Sequence, residues 1–121
     1  MVLLVEDEHE VRAVLGERLR EAGHRVLEAA DGPAALRLLR DGSPVDLLVT
    51  DVGLPGGLNG RQVADAARER RPGLPVLFVT GFAGSALDAQ LAPGMAVISK
   101  PFDLDSMVAK VQAMLKAVPE A

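Results

Sequence analysis

Five polar side chains follow short apolar runs in this 121-residue sequence, and their types are those that handle cations and phosphate. Glu6 and Asp7 come directly after Val2-Leu3-Leu4-Val5, and Asp51 follows the run Val45 to Val49 and Thr50. Thr80 closes Val76-Leu77-Phe78-Val79, and Lys100 stands just beyond Ala96-Val97-Ile98. If these runs lie side by side in one sheet, three carboxylates, a hydroxyl and an ammonium reach the same edge. Carboxylates crowded together repel, and without a partner their pKa values rise. A hard divalent cation removes that conflict. Mg2+ suits the site because it takes one or two carboxylates, keeps several waters and leaves a face for a phosphoryl oxygen. Gly53, two residues beyond Asp51, adds a backbone carbonyl that can reach the metal with no side chain in the way.

Asp51 is the candidate reacting group, because the most apolar central run ends there and can hold its carboxylate in a fixed place. A carboxylate can attack phosphorus to form an acyl phosphate. Phosphoryl transfer asks little covalent help of a protein but needs positive charge and donors around the equatorial oxygens. Lys100 offers a point charge, Thr80 a hydroxyl donor, and a bound metal a bridge. Taken singly, each residue has an ordinary explanation: Asp7 as a helix cap, Thr80 as a β-branched strand residue, Lys100 as a solvated lysine. Their joint arrival at one edge is not explained that way. Pro101 after Lys100 also allows a cis peptide, found at a small minority of such bonds.

The elements that must hold these residues alternate along the whole chain. Glu8 to Ala22 reads as a helix with Val11, Leu15, Leu19 and Ala22 on one face, closed by Gly23. Arg25 to Ala29 is a more polar strand, expected at a sheet edge, and Pro33 to Arg40 is a short helix with Gly42 after its end. Val45 to Val49 is a strand, followed by the loop Leu54 to Gly57, and Gly56, Gly57 and Gly60 read as flexible. Gln62 to Arg70 is a helix with Val63, Ala66 and Ala67 inward. Val76 to Val79 and Ala96 to Ile98 are strands, with a short Ala-rich helix between them at Ser85 to Leu91. Leu104 to Ala117 is an amphipathic helix with Leu104, Met107, Val108, Val111 and Leu115 inward and Asp103 as its N-cap. Five strands alternating with five helices require crossover connections and a parallel sheet, hence an α/β protein built as a three-layer αβα sandwich. In such open sheets ligands bind beyond the carboxyl ends of the strands, near the point where strand order reverses.

Composition narrows the classes of function. The length suits one domain, and 49% hydrophobic with 25% charged residues is a globular balance. With no cysteine, disulfide frameworks, thiolate metal sites and cysteine nucleophiles are excluded. A net charge of -4 and only three aromatic residues, all Phe, argue against nucleic-acid binding. No apolar run approaches the roughly 18 residues of a membrane span, and no signal peptide is visible. The expectation is a soluble, cytoplasmic domain without membrane contact of its own.

Leu4-Val5-Glu6-Asp7-Glu8, Leu48-Val49-Thr50-Asp51, Phe78-Val79-Thr80-Gly81 and Lys100-Pro101-Phe102 together resemble the receiver domain of two-component response regulators, over Val2 to about Val118. The resemblance implies a receiver domain over residues 1–118 with a short tail at 119–121, and a flavodoxin-like fold of strand order 2-1-3-4-5. It implies that Asp51 is the phosphoacceptor and that Glu6, Asp7, Asp51 and the Gly53 carbonyl hold Mg2+. Thr80 and Lys100 would sense and pair with the phosphoryl group. The donor would be a phosphohistidine on a histidine kinase or histidine phosphotransfer protein, and a homodimer is compatible with the family. Such a domain is a signalling module, not an enzyme, and catalyses only its own phosphorylation and dephosphorylation.

Two positions depart from the family pattern. Where receivers usually carry Phe or Tyr three residues before the lysine, this sequence has Val97, so the usual Thr–aromatic coupling cannot operate in that form. Phe78-Val79-Thr80-Gly81-Phe82 instead resembles a Phe-x-Thr-Gly subgroup found in receivers at the carboxyl end of hybrid histidine kinases and in some stand-alone receivers. Phe82 then becomes a candidate signalling residue, or simply an apolar anchor for its loop. Glu6 stands where Asp is commoner, and its extra methylene is tolerable if it reaches the metal through water. Both a free receiver and a domain of a hybrid kinase fit the sequence, and the subgroup likeness with the start at the first strand favours the second as the expectation. Among rival readings, a flavin or nucleotide domain would need amide-rich turns where Glu6-Asp7-Glu8 stands. An aspartyl phosphatase would need a second acid where Gly53 stands, and an unphosphorylated interaction module remains the alternative in the same family.

Overall fold

Strands that are apolar at every position need cover on both faces. The computed structural model, which describes residues 1–54, 57–81 and 91–116, provides that cover. In chain order the described elements are β1 (Val2–Val5), α1 (His9–Glu21), β2 (Val26–Ala29), α2 (Gly32–Arg40), β3 (Leu47–Asp51), α3 (Gly60–Arg70), β4 (Val76–Thr80), β5 (Met95–Ser99) and α4 (Leu104–Lys116). The strands form one sheet of order β2-β1-β3-β4-β5, with every pairing parallel. This is the flavodoxin-like α/β architecture that the resemblance implied.

Alternation along the strands divides the apolar residues between two cores. Leu3, Val5, Leu48, Val76 and Phe78 face α2 and α3, which contribute Ala35, Leu39, Val63, Ala64 and Ala67. Val2, Leu4, Leu47, Val49, Leu77 and Val79 face α1 and α4, which contribute Leu15, Leu19, Met107 and Val111. Among the described residues, two helices on each side of the sheet form the outer layers. The central strands are buried along nearly their whole length, whereas β2 and β5 at the two edges are mostly half-exposed. The polar strand thus lies at an edge, as its composition required.

Helix ends follow local chemistry. Asp31 accepts from the Ala34 N–H at 2.8 Å and starts α2, and Asp103 accepts from the Ser106 N–H at 2.6 Å at the start of α4, its expected role. Gly23 and Gly42, at φ 98° and 83°, turn the chain just after α1 and α2.

Several expectations shift. The third strand runs Leu47–Asp51, two residues later than Val45 to Val49, because the Val45 N–H is turned back onto the Ser43 carbonyl at 2.8 Å. Asp51 is therefore part of the strand. Helix α3 starts at Gly60, ahead of the expected Gln62, because Asn59 and Gln62 form a reciprocal capping box. Its buried alanines are Ala64 and Ala67, with Ala66 only half-buried. Gly60 is a packing residue and not part of a flexible loop. It is buried, its N–H donates to the Val52 carbonyl at 2.8 Å, and an added Cβ would overlap the Asp51 carbonyl oxygen and stand 2.9 Å from Val52 Cα. The helix expected at Ser85 to Leu91 lies, apart from Leu91, outside the described residues, as do Phe82, Ala117 and the 119–121 tail.

Gly60→Ala is expected to lower unfolding free energy by about 2–3 kcal/mol through overpacking against backbone that cannot yield. Gly53→Ala, where an added Cβ meets nothing within 4 Å, serves as the control and is expected to stay within about 0.5 kcal/mol in urea unfolding.

Candidate functional site

The parallel registers bring the strand ends to one edge: Val5 lies beside Thr50, Asp51 beside Val79, and Thr80 beside Ser99. Each chain segment then leaves the sheet carrying a polar residue. Glu6 and Asp7 leave β1, Asp51 ends β3, Thr80 ends β4, and Lys100 follows β5. Carboxylate oxygens of Glu6, Asp7 and Asp51 lie within 4.8 Å of one another, a set that can hold a metal ion.

Both Asp51 oxygens are engaged. The Gly53 N–H donates to Oδ1 at 3.2 Å, and the Lys100 ammonium donates to Oδ2 at 3.1 Å. The Asp51 side chain is 15% exposed and that of Lys100 38%. Lys100 is tied to the neighbouring strand as well, since its N–H donates to the Thr80 carbonyl at 2.7 Å. Thr80 is buried. The Lys100–Pro101 peptide is cis. Gly53 is exposed beside Asp51.

Glu6 has the most unusual environment. It is 3% exposed, and neither carboxylate oxygen has a hydrogen-bond partner. Burial, then the adjacent Asp51 side chain and the charge of Asp7, push its pKa up from the usual 4.5 to about 7, against the opposing pull of Lys100. Burial acts to lower the Lys100 pKa, but the bond to Asp51 and the charges of Asp51, Glu6 and Glu8 outweigh it and raise the value. A buried carboxylate with both oxygens unsatisfied, in a three-acid cluster, fits a cation that one ammonium alone does not replace.

The structure therefore brings Glu6, Asp7, Asp51 and Lys100 together, with Thr80 joined through its backbone. An open groove of about 610 Å³ runs from Lys100 along α1, with Val11, Val14, Leu15, Phe102 and Leu104 among its walls. Two residues beside the acids were not apparent from spacing. Gly60 packs on the Asp51 backbone, and the Asn59-to-Gln62 capping pattern was the available signal. Arg12 donates from Nη1 to the Glu6 carbonyl at 2.8 Å. Val97, in place of the usual aromatic, pairs with Phe78 across the β4–β5 ladder and packs on the core that contains it.

The family model of the response regulator receiver domain matches residues 2–112, and the chain belongs to that family. It is a receiver domain of two-component signalling systems. It is similar to the response regulator receiver protein CpdR of Brucella abortus (strain 2308), at 36% identity over 118 residues, covering 96% of this chain and 97% of that protein. Of several transcriptional regulators matched at 36–38% identity it spans about half the length, 47–49%. Among solved structures, a receiver protein from Sinorhizobium medicae WSM419 superposes with a TM-score of 0.89 at 29% identity, covering 96% of this chain and 94% of that one. The receiver domain of the hybrid histidine kinase CckA superposes with a TM-score of 0.80 at 35% identity, covering 94% and 97%. Among the described residues no helix is long and apolar enough to cross a membrane.

The raised Glu6 pKa has a definite sign. The folded protein retains a proton that the unfolded chain releases above pH 4.5, so stability from this group falls as pH rises from 4.5 to about 7 and is level above that. Without divalent cations, Glu6→Gln is expected to gain on the wild type across this window, by at most about 3 kcal/mol. Urea unfolding of both proteins at pH 4.5 and pH 8 measures it, and a pH-independent difference would contradict the assignment.

Proposed function

We propose that this domain accepts a phosphoryl group on Asp51 from a phosphohistidine of a histidine kinase or histidine phosphotransfer protein, in a Mg2+-dependent reaction, and signals by a change of conformation. The observation that carries this reading is the Asp51 carboxylate itself, set among Glu6 and Asp7 with the Lys100 ammonium 3.1 Å from Oδ2. An Asp51 oxygen attacks phosphorus, the new O–P bond forms as the N–P bond of the phosphohistidine breaks, and the electron pair of that bond leaves with the imidazole nitrogen. Glu6, Asp7, Asp51 and the Gly53 carbonyl would hold Mg2+, which when bound supplies positive charge to the phosphoryl oxygens.

The chain's own residues do the rest. Lys100, held at the Thr80 carbonyl by its N–H, keeps its ammonium within reach of whatever charge Asp51 carries. Thr80 offers a hydroxyl to the phosphoryl group. The Gly53 N–H on Oδ1 keeps the carboxylate from rotating freely. The groove along α1 gives a donor protein an apolar surface that ends at Lys100. The reading applies equally to a free receiver and to a receiver within a longer cytoplasmic chain. The described residues include no Phe or Tyr at position 97, so the conformational signal in this domain does not pass through an aromatic ring there.

Asp51→Asn, nearly isosteric, is expected to fold normally and to form no acyl phosphate when incubated with Mg2+ and acetyl phosphate; mass spectrometry reads the outcome. Wild-type modification levels in that variant would refute the assignment, and an unmodified wild type would favour a receiver-like module that is never phosphorylated. Lys100→Ala is expected to accept phosphate still but to show smaller amide shifts beyond Thr80 on phosphorylation, because the phosphoryl group loses its charge partner. Identical shifts in the two phosphorylated proteins would contradict that role.

A further inference from the structure

The peptide joining Glu6 to Asp7 is a single rigid plane, and its orientation sets the directions in which both acids project. Its surroundings give it little local support. The N-cap of α1, Glu8, makes no side-chain cap hydrogen bond, so the helix that begins at His9 is not locked to the turn before it in the usual way. The Glu6 N–H is held by the Ala29 carbonyl at 3.0 Å, but that bond belongs to the preceding peptide. The Glu6 carbonyl, on the Glu6–Asp7 peptide, accepts from Arg12.

Arg12 is well placed for more than that one bond. Its side chain is 15% exposed, and three of its atoms meet three partners. Nη1 donates to the Glu6 carbonyl at 2.8 Å, Nε lies 3.5 Å from Glu28 Oε1 on β2, and Nη2 is 3.1 Å from His9 Nδ1. Glu28 is fixed in turn by Arg20, whose Nη2 is 2.9 Å from Oε2. Arg12, Gly16 and Arg20 recur at four-residue steps on one face of α1. Gly16 makes room for the carboxylate between the two arginines, since a Cβ there would stand 3.2 Å from Glu28 Oε2. A planar guanidinium holds its donors in a fixed fork that can orient a carbonyl and a carboxylate at once, whereas an ammonium is a compact point charge with rotatable donors.

We propose that Arg12 is a positioning residue for the acid cluster: by joining the Glu6 carbonyl to the Glu28 carboxylate it fixes the Glu6–Asp7 peptide against edge strand β2. The proposal rests on the reading above in which Glu6 and Asp7 hold a divalent cation. Glu28 and Arg20 hold the guanidinium in place, and Gly16 permits their approach. The acids themselves are not touched by this network through their side chains, so its effect falls on their direction and spacing.

The test is Mg2+ titration of the purified chain, followed by calorimetry or amide shifts because the sequence has no Trp or Tyr to report by fluorescence. Arg12→Gln is expected to weaken Mg2+ binding roughly tenfold, as loss of a group that orients a metal's ligands commonly does. Arg12→Lys, which keeps a donor for the Glu6 carbonyl, is expected to fall between that variant and the wild type. Glu28→Gln, which loosens the guanidinium while leaving it present, is expected to weaken binding less than Arg12→Gln. Thermal unfolding without metal is recorded for each, since a merely structural role would lower the melting temperature and leave the affinity of the folded protein unchanged. Arg12→Gln binding within about twofold of the wild type would overturn the proposal. Should that variant not fold, wild-type affinity in both Arg12→Lys and Glu28→Gln would overturn it equally. A wild type that binds no Mg2+ would instead bring down the cation reading itself, and a folded wild type that binds while the variants do not differ from it leaves that reading standing.

Discussion

A carboxylate buried among like charges is the constraint around which this domain is organised. Glu6 is removed from water with neither oxygen hydrogen-bonded, beside two further acids and a single ammonium. Taking charge out of water costs several kcal/mol unless a partner offsets it. The rest of the fold therefore has to hold repelling groups together, which apolar packing beneath them can do. Leu4, Val5, Val49 and Val79 are all buried immediately below the acidic edge.

Strand order explains how this is achieved. Placing β1 between β2 and β3 sets Val5 beside both Ala29 and Thr50, so the ends of the first and third strands are neighbours although some 45 residues separate Glu6 from Asp51 in the chain. Backbone contacts then fix the heights of the groups. Gly60 meets the Asp51 peptide, and the Lys100 N–H meets the Thr80 carbonyl. Small residues and main-chain bonds thus act where the chemistry needs precision, while the two apolar cores supply the stability.

The sequence was informative where a pattern had one physical meaning. Apolar runs without alternation and too short for a helix, such as Val2 to Val5 and Val76 to Val79, fit strands covered on both faces, and the more polar Arg25 to Ala29 segment fits an edge. Residue types after the strands are enough to indicate an acidic cluster with a lysine, because each strand delivers its next residue to the same edge. Legibility failed where one residue type serves two ends. Gly60 reads equally as a loop glycine and as a packing glycine, and only the approach of the Asp51 carbonyl decides between them. Ala64 and Ala66 are equally small, so burial on α3 depended on where the Asn59 cap set the helix start. Val45 is apolar and buried yet outside the ladder, which hydropathy cannot distinguish from a strand residue. The pairing of Arg12 with Glu28 joins residues 16 positions apart through the fold, and no local spacing encodes it.

The uneven burial of the sheet divides the site into parts of different permanence. The acids stem from β1 and β3, whose apolar residues are fully buried, whereas the lysine follows β5, half-exposed and with no strand beyond it among the described residues. Amide exchange and transient opening start where burial is least. A fluctuation that peels the outermost strand away carries off the counter-charge and leaves the acids standing, so the pocket loses its electrical balance well before it loses its shape.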